Sequence, residues 1–123
     1  MLSGHYILGA EVEAFEKEFA EWLGVSAAVG LANGTEALEL ALRATGIGPG
    51  DKVVTVANTV TATVAAISAT GAKPVFVDTE PGTMLMDLDA VETLLTKMRD
   101  PRIKAVVPVH LYGQPVNMPR LMQ

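Results

Sequence analysis

Cysteine is absent from the 123 residues, which removes disulfides and thiolate metal sites together. Histidine occurs only as His5 and His110, far apart in sequence, so no metal site is expected. Basic residues are few: nine Lys and Arg stand against fourteen Asp and Glu, a net charge of −5. No basic cluster is present to follow a phosphate backbone, and nucleic acid is not an expected partner. Long unbroken apolar runs are missing too. The most apolar region, residues 53–72, is interrupted by Thr55, Asn58, Thr59, Thr61, Thr63, Ser68, Thr70 and Gly71, which makes a poor bilayer span. The start, Met1-Leu2-Ser3-Gly4-His5, carries no cationic stretch ahead of an apolar one and does not read as a secretory signal. A soluble, cytoplasmic chain with no membrane partner is the expectation.

Half of the residues are hydrophobic and 19% are charged, a balance that folds rather than stays disordered. The length suits one hydrophobic core. No internal repeat and no low-complexity linker is visible, so residues 1–123 read as part of a single domain that is cut short.

Hydrophobic spacing places the elements. Val12, Phe15, Phe19, Trp22 and Leu23 recur at helical intervals over residues 11–23, and Gly24 closes that helix. Residues 25–31 are small and apolar and predict a buried strand. Asn33-Gly34-Thr35-Glu36 opens a second helix, in which Asn33 caps and Glu36 returns the bond, continuing to Gly46. Gly46-Ile47-Gly48-Pro49-Gly50 superficially matches a dinucleotide fingerprint. It follows a helix, precedes a strand and contains a proline with no amide, so it reads as a turn. Strands are predicted over residues 53–57, 74–77 and 103–109, with a helix over 59–70 and another that Asp87 caps, stopped before Asp100-Pro101. Asn117-Met118-Pro119 reads as the cap and first turn of a last helix. Alternating helices and mostly parallel strands define an α/β fold.

Ligands of open α/β sheets gather where strands end at their carboxyl edge, and three such places carry suggestive chemistry. Gly34 and Thr35 stand at a helix start whose amides and dipole favour an anion; a plain Asn-capped helix is the commoner outcome of such a pattern, and the Glu36 charge weighs on that side. Asn58, Thr59 and Val60 lead a hydroxyl-rich run, either lining a pocket or bonding their own backbone. His110 and Tyr112 put an imidazole and a phenol at the end of a buried strand, where a structural histidine is the commoner outcome.

Taken together and in order, Tyr6-Ile7-Leu8-Gly9, Asn33-Gly34-Thr35-Glu36-Ala37-Leu38, Gly46-Ile47-Gly48-Pro49-Gly50-Asp51, Thr59 with Ala62-Thr63, Pro74-Val75-Phe76-Val77-Asp78 and Pro108-Val109-His110-Leu111-Tyr112-Gly113 resemble the DegT/StrS family of nucleotide-sugar aminotransferases. That resemblance spans nearly the whole chain and implies the amino-terminal portion of the large domain of a fold-type I, pyridoxal 5'-phosphate-dependent enzyme. It implies that the cofactor phosphate rests on Gly34 and Thr35, and that Asn58, Thr59 and Val60 lie beside the cofactor ring. Relatives usually carry an aromatic residue where this chain has Val60. Tyr6, His110 and Tyr112 are implied to line the substrate site, with Tyr6 near the site of a homodimer partner. The implied reaction passes an amine, from glutamate as donor, to a keto-sugar nucleotide. A sugar dehydratase of the same family, or a non-catalytic fragment acting as a binding module, are the alternatives. In relatives the Schiff-base lysine and the aspartate that pairs with the pyridinium nitrogen lie downstream of the region matching Gln123. Lys17, Lys52, Lys73, Lys97 and Lys104 occupy no such position and read as solvated surface charges, so the chain as given is not expected to be catalytically competent.

Overall fold

The computed structural model describes Gly4 and residues 7–123. Two compact units are present, Met1–Ala32 and Asn33–Gln123.

The first unit is built on helix α1, Ala10–Leu23. Glu11 and Glu13 in its first turn complement the helix dipole. Gly24 ends it at φ 70, with Gly24 N–H on Glu21 O at 3.1 Å and Val25 N–H on Ala20 O at 3.0 Å, the paired bonds of a Schellman motif. Phe15, Phe19 and Trp22 form a ladder along the helix, with centroids 5.5 and 5.8 Å apart.

The segment after it, residues 25–31, is not the strand that its composition predicts. A strand needs a neighbouring backbone to complete its ladder, and no strand among the described residues pairs with this segment. Instead the Gly30 N–H donates to the Glu16 carboxylate at 2.6 Å. A Cβ on Gly30 would stand 3.3 Å from that oxygen and 3.6 Å from Val12 Cγ1, so the segment lies against α1 at a position suited to glycine.

The second unit holds a three-stranded parallel sheet, β1 Lys52–Val56, β2 Lys73–Val77 and β3 Ile103–Val106, in the order β2-β1-β3. Helix α2 Gly34–Ala44 precedes β1, α3 Thr61–Ala69 joins β1 to β2, and α4 Leu88–Thr93, which widens into a π-helical turn over Leu94–Met98, joins β2 to β3. A 3-10 turn at Leu111–Gly113 and the short α5, Met118–Leu121, complete the unit.

Strand alternation divides the core. Val53 joins Leu42, Ile47, Ile67 and Ala72 on one side of the sheet. Val54 and Val56 join Val77, Leu85, Met86, Val91 and Val116 on the other. A central strand with a core on each side explains why Val53, Val54, Thr55 and Val56 are all buried. Thr55 is fully buried and satisfied, its hydroxyl donating to Val107 O at 2.9 Å.

Strand β3 stops short of the predicted residue 109. Val107 N–H still reaches Val54 O at 2.8 Å, one residue beyond the end of the strand. On β2 the Lys73 N–H bonds Asp51 O at 2.9 Å, so alternation turns Pro74 outward, where its missing N–H breaks no bond. The turn at residues 46–50 is confirmed: Gly46 and Gly50 adopt φ 83 and 95, and Gly48 N–H bonds the Asp51 carboxylate at 3.0 Å.

At the amino edge of the sheet, Asp100 clasps β1 to β3. It accepts from Lys52 Nζ at 2.7 Å, Arg102 Nη2 at 2.8 Å and Nε at 2.9 Å. These hydrogen bonds, Arg102 first, hold the Asp100 carboxyl well below the usual carboxylate range. Lys52 is therefore an ion-paired tie with a quarter-exposed side chain, and not the solvated surface charge expected of it. No helix among the described residues is long and apolar enough to cross a membrane.

Candidate functional site

Asn58, Thr59 and Val60 follow β1 at the carboxyl edge of the sheet. Four residues separate the end of β1 from the start of α3, so the amino end of that helix lies at that edge. Helix α2 packs along α3, and Arg43, next to the last residue of α2, donates to the carbonyl of Ala69, the last of α3, at 2.5 Å. Packed helices whose carboxyl ends touch run in the same direction. With eleven and nine residues they are about 16 and 14 Å long, so their amino ends come out nearly level. Gly34 and Thr35 are thereby brought to the same edge as Asn58, Thr59 and Val60.

At the start of α2 the cap is occupied as expected: Asn33 Oδ1 accepts from Glu36 N–H at 2.9 Å, and Ala37 N–H bonds Asn33 O at 3.1 Å. The amides of Gly34 and Thr35 precede these bonds and have no acceptor among the described residues, as the geometry of a first helical turn dictates. Gly34 is exposed, and a Cβ on it would meet nothing within 4 Å. Two backbone donors, one hydroxyl and an uncrowded approach make a donor set that suits a phosphate dianion.

Beside it, Thr59 precedes the helix rather than beginning it; α3 starts at Thr61, with Val60 as an extended N-cap at ψ 142. The Thr59 and Thr63 hydroxyls bond each other at 2.8 Å. Asn58 reaches Met84 O at 3.5 Å, the limit of a hydrogen bond. Val60 is 69% exposed, so it offers an aliphatic face to whatever lies over the strand end. Met84 gave no signal in the sequence: it comes from a loop folded back through the lone antiparallel bridge of Thr79 with Met86, and takes φ 61.

After β3, the His110 ring accepts at Nδ1 from Val116 N–H at 3.1 Å. A lone pair at Nδ1 leaves the proton on Nε2, so the imidazole is a structural staple of its loop. Tyr112 is exposed. Tyr6 lies outside the described residues. Concave regions of about 420 and 260 Å³ are lined by residues of 80–96 and 114–123, none a predicted site residue.

A parallel three-stranded sheet with a core on each face, joined by helices, defines an α/β domain. The chain belongs to the DegT/DnrJ/EryC1/StrS aminotransferase family, matched over residues 1–123. It is 52% identical over 121 residues to the dTDP-3-amino-3,4,6-trideoxy-alpha-D-glucose transaminase of Micromonospora megalomicea subsp. nigra, covering 98% of this chain and 31% of that protein. Among solved structures it is similar to S. venezuelae DesV in complex with a ketimine intermediate, at TM-score 0.88 and 47% identity, over 98% of this chain and 31% of that one. It is also similar to the PLP-form of a sugar aminotransferase from Streptococcus pneumoniae, at TM-score 0.89 and 36% identity, over 98% of this chain and 30% of that one. The chain thus spans about a third of the length of the relatives it matches.

Proposed function

We propose that this chain forms the phosphate cradle and one wall of the cofactor site in a pyridoxal 5'-phosphate-dependent aminotransferase that acts on a keto-sugar nucleotide, with glutamate as amine donor. The observation that carries the reading is the start of α2, where Asn33 is committed to Glu36 while the Gly34 and Thr35 amides and the Thr35 hydroxyl remain as donors at the carboxyl edge. When bound, the cofactor supplies the electron sink for moving an amine between carbon centres. The chain's own residues bind and orient. Gly34 and Thr35 donate to the phosphate, with the α2 dipole favouring its charge. Val60 covers one face of the ring by aliphatic contact where an aromatic residue would stack. Asn58 and Thr59 flank that face, and the Thr59–Thr63 hydroxyl pair fixes the entry into α3. His110 offers its Nε2–H at the strand end with its tautomer set by Val116. The chain is read as part of a single large domain of a cytoplasmic homodimer, with Tyr6 and Tyr112 facing substrate.

Binding of pyridoxal 5'-phosphate, followed by its absorbance, tests the cradle. Gly34→Val brings a branched side chain to the approach and weakens binding at least tenfold, while Gly48→Val, in the turn at the opposite edge, leaves it within about twofold. Equal effects would remove the assignment.

A further inference from the structure

The loop after β3 is closed across its base by one contact, Val116 N–H donating to His110 Nδ1 at 3.1 Å. The other hydrogen bonds of the loop are local, Gly113 N–H to His110 O at 3.2 Å and Gln114 N–H to Leu111 O at 3.0 Å, and Pro115 has no N–H to add. Among the hydrogen bonds of the described residues, the imidazole alone therefore joins the strand end to the segment that leads into α5. Val116 itself is packed, 3% exposed, in the cluster that holds Val54, Val56 and Met86. His110 is exposed, so its ring exchanges protons with solvent. A neutral imidazole has one bare nitrogen and an imidazolium has none. Protonation removes the acceptor and leaves the amide of a buried residue without a partner, a state relieved only by bringing Val116 toward water. The same loop holds Tyr112 in the left-handed region at φ 53, ψ 28, a conformation that persists only while its surroundings impose it. Loss of the tie relaxes that constraint and gives the loop a second arrangement to adopt.

We propose that His110 is a proton-operated latch: neutral, it holds residues 110–116 closed, and protonated, it releases Val116 and the lead into α5. The latch belongs to the fold and needs no cofactor. Imidazole is the side chain whose charge ordinarily changes between pH 5 and 8, so the latch is closed at the alkaline end of that range and open at the acid end. Charged groups around the segment do not replace the lost bond. Glu80, Asp87, Asp89 and Arg120 line a concavity of about 260 Å³ together with residues 114–117. Glu80 accepts the Thr83 hydroxyl at 2.8 Å, Asp87 accepts the Asp89 and Ala90 amides at 2.9 and 3.2 Å, and Arg120 pairs with Asp89 and, at 3.3 Å, with Glu92. Asp78, after β2, accepts from Thr79 N–H at 2.8 Å, Lys52 on β1 is bound to Asp100 at the other edge, and Lys104 on β3 is exposed. Within the loop the other titratable group is the exposed Tyr112. No carboxylate among the described residues is bonded to the His110 ring, so protonation creates no ion pair there to hold the loop shut.

Amide hydrogen exchange of the chain, resolved by NMR between pH 8 and pH 5, tests this. Protection of the Val116 amide, corrected for the intrinsic pH dependence of exchange, is expected to fall by about tenfold or more from the alkaline to the acid end, in step with titration of the His110 ring nitrogens. Val107 N–H, bonded to Val54 O, is expected to keep its protection throughout. In His110→Asn an amide oxygen supplies an acceptor that does not titrate, and Val116 protection should then stay within about twofold over the same range. His110→Ala should leave the Val116 amide unprotected at both ends. The wild-type titration needs no variant, so the proposal is tested whatever the variants do to folding. Constant Val116 protection in wild type overturns it, as does the same fall in His110→Asn. Loss of protection at Val107 in step with Val116 overturns it too, because acid then unfolds the domain rather than the loop.

Discussion

Gly46 and Gly71 adopt nearly the same backbone, φ 83 and φ 88, but their surroundings differ. A Cβ on Gly46 would meet nothing within 4 Å, whereas one on Gly71 would stand 2.8 Å from Pro49 Cγ, 3.1 Å from Cδ and 3.3 Å from its nitrogen. Replacing either glycine with alanine incurs the left-handed strain of an L-residue, about 1–2 kcal/mol. Both variants also gain the same few tenths to ~1 kcal/mol from a less flexible unfolded chain. Gly71→Ala alone adds the overlap with Pro49, and overpacking of this kind costs a further ~1–3 kcal/mol. The ring cannot swing away, because a proline has no free χ1 and sits in the turn that joins α2 to β1. Equilibrium urea unfolding should therefore place Gly71→Ala about 1–3 kcal/mol below Gly46→Ala, a midpoint difference on the order of 1 M. Removing the two ring carbons in Pro49→Ala/Gly71→Ala should recover most of that difference, which a double-mutant cycle reads as positive coupling. If the two single variants unfold within ~0.5 kcal/mol of each other, the close packing of the turn on the end of α3 is wrong.

Asn33→Ala should cost about 1 kcal/mol, seen in the same urea experiment, because Glu36 N–H loses its acceptor at the start of α2. Asp100→Asn should lower the melting temperature at neutral pH. Since Arg102 and Lys52 depress the folded-state pKa of Asp100, the stability it contributes is present above the unfolded value near 4. It is lost as pH falls through the folded value. The gap between wild type and variant should narrow progressively below about pH 4, and a gap that is constant with pH would show that the clasp contributes nothing.

Local signals made much of the architecture legible. Caps at Asn33, Asp87 and Asn117 each accept the backbone bond that their residue type promised, and Gly24 closes α1 in the left-handed conformation. Residues 25–31 failed for a nonlocal reason: composition says a segment tolerates burial, but pairing depends on a backbone supplied from elsewhere. Lys52 failed likewise, because its partner Asp100 lies 48 residues away and no spacing rule connects them. At the site, the residue types of the strand ends were readable, as was the helix start at Gly34 and Thr35. The His110 staple and the approach of Met84 to Asn58 were not, since each depends on how a loop folds back on the sheet.

The two outer strands also differ in what they offer a newcomer. Along β2 an outward proline follows a lysine, so that flank has a gap in its donors and a charge beside it. Along β3 no proline interrupts Ile103–Val106. The sheet therefore has a blunt side and a live one, and growth by a further strand is favoured in one direction, away from Pro74 and past β3.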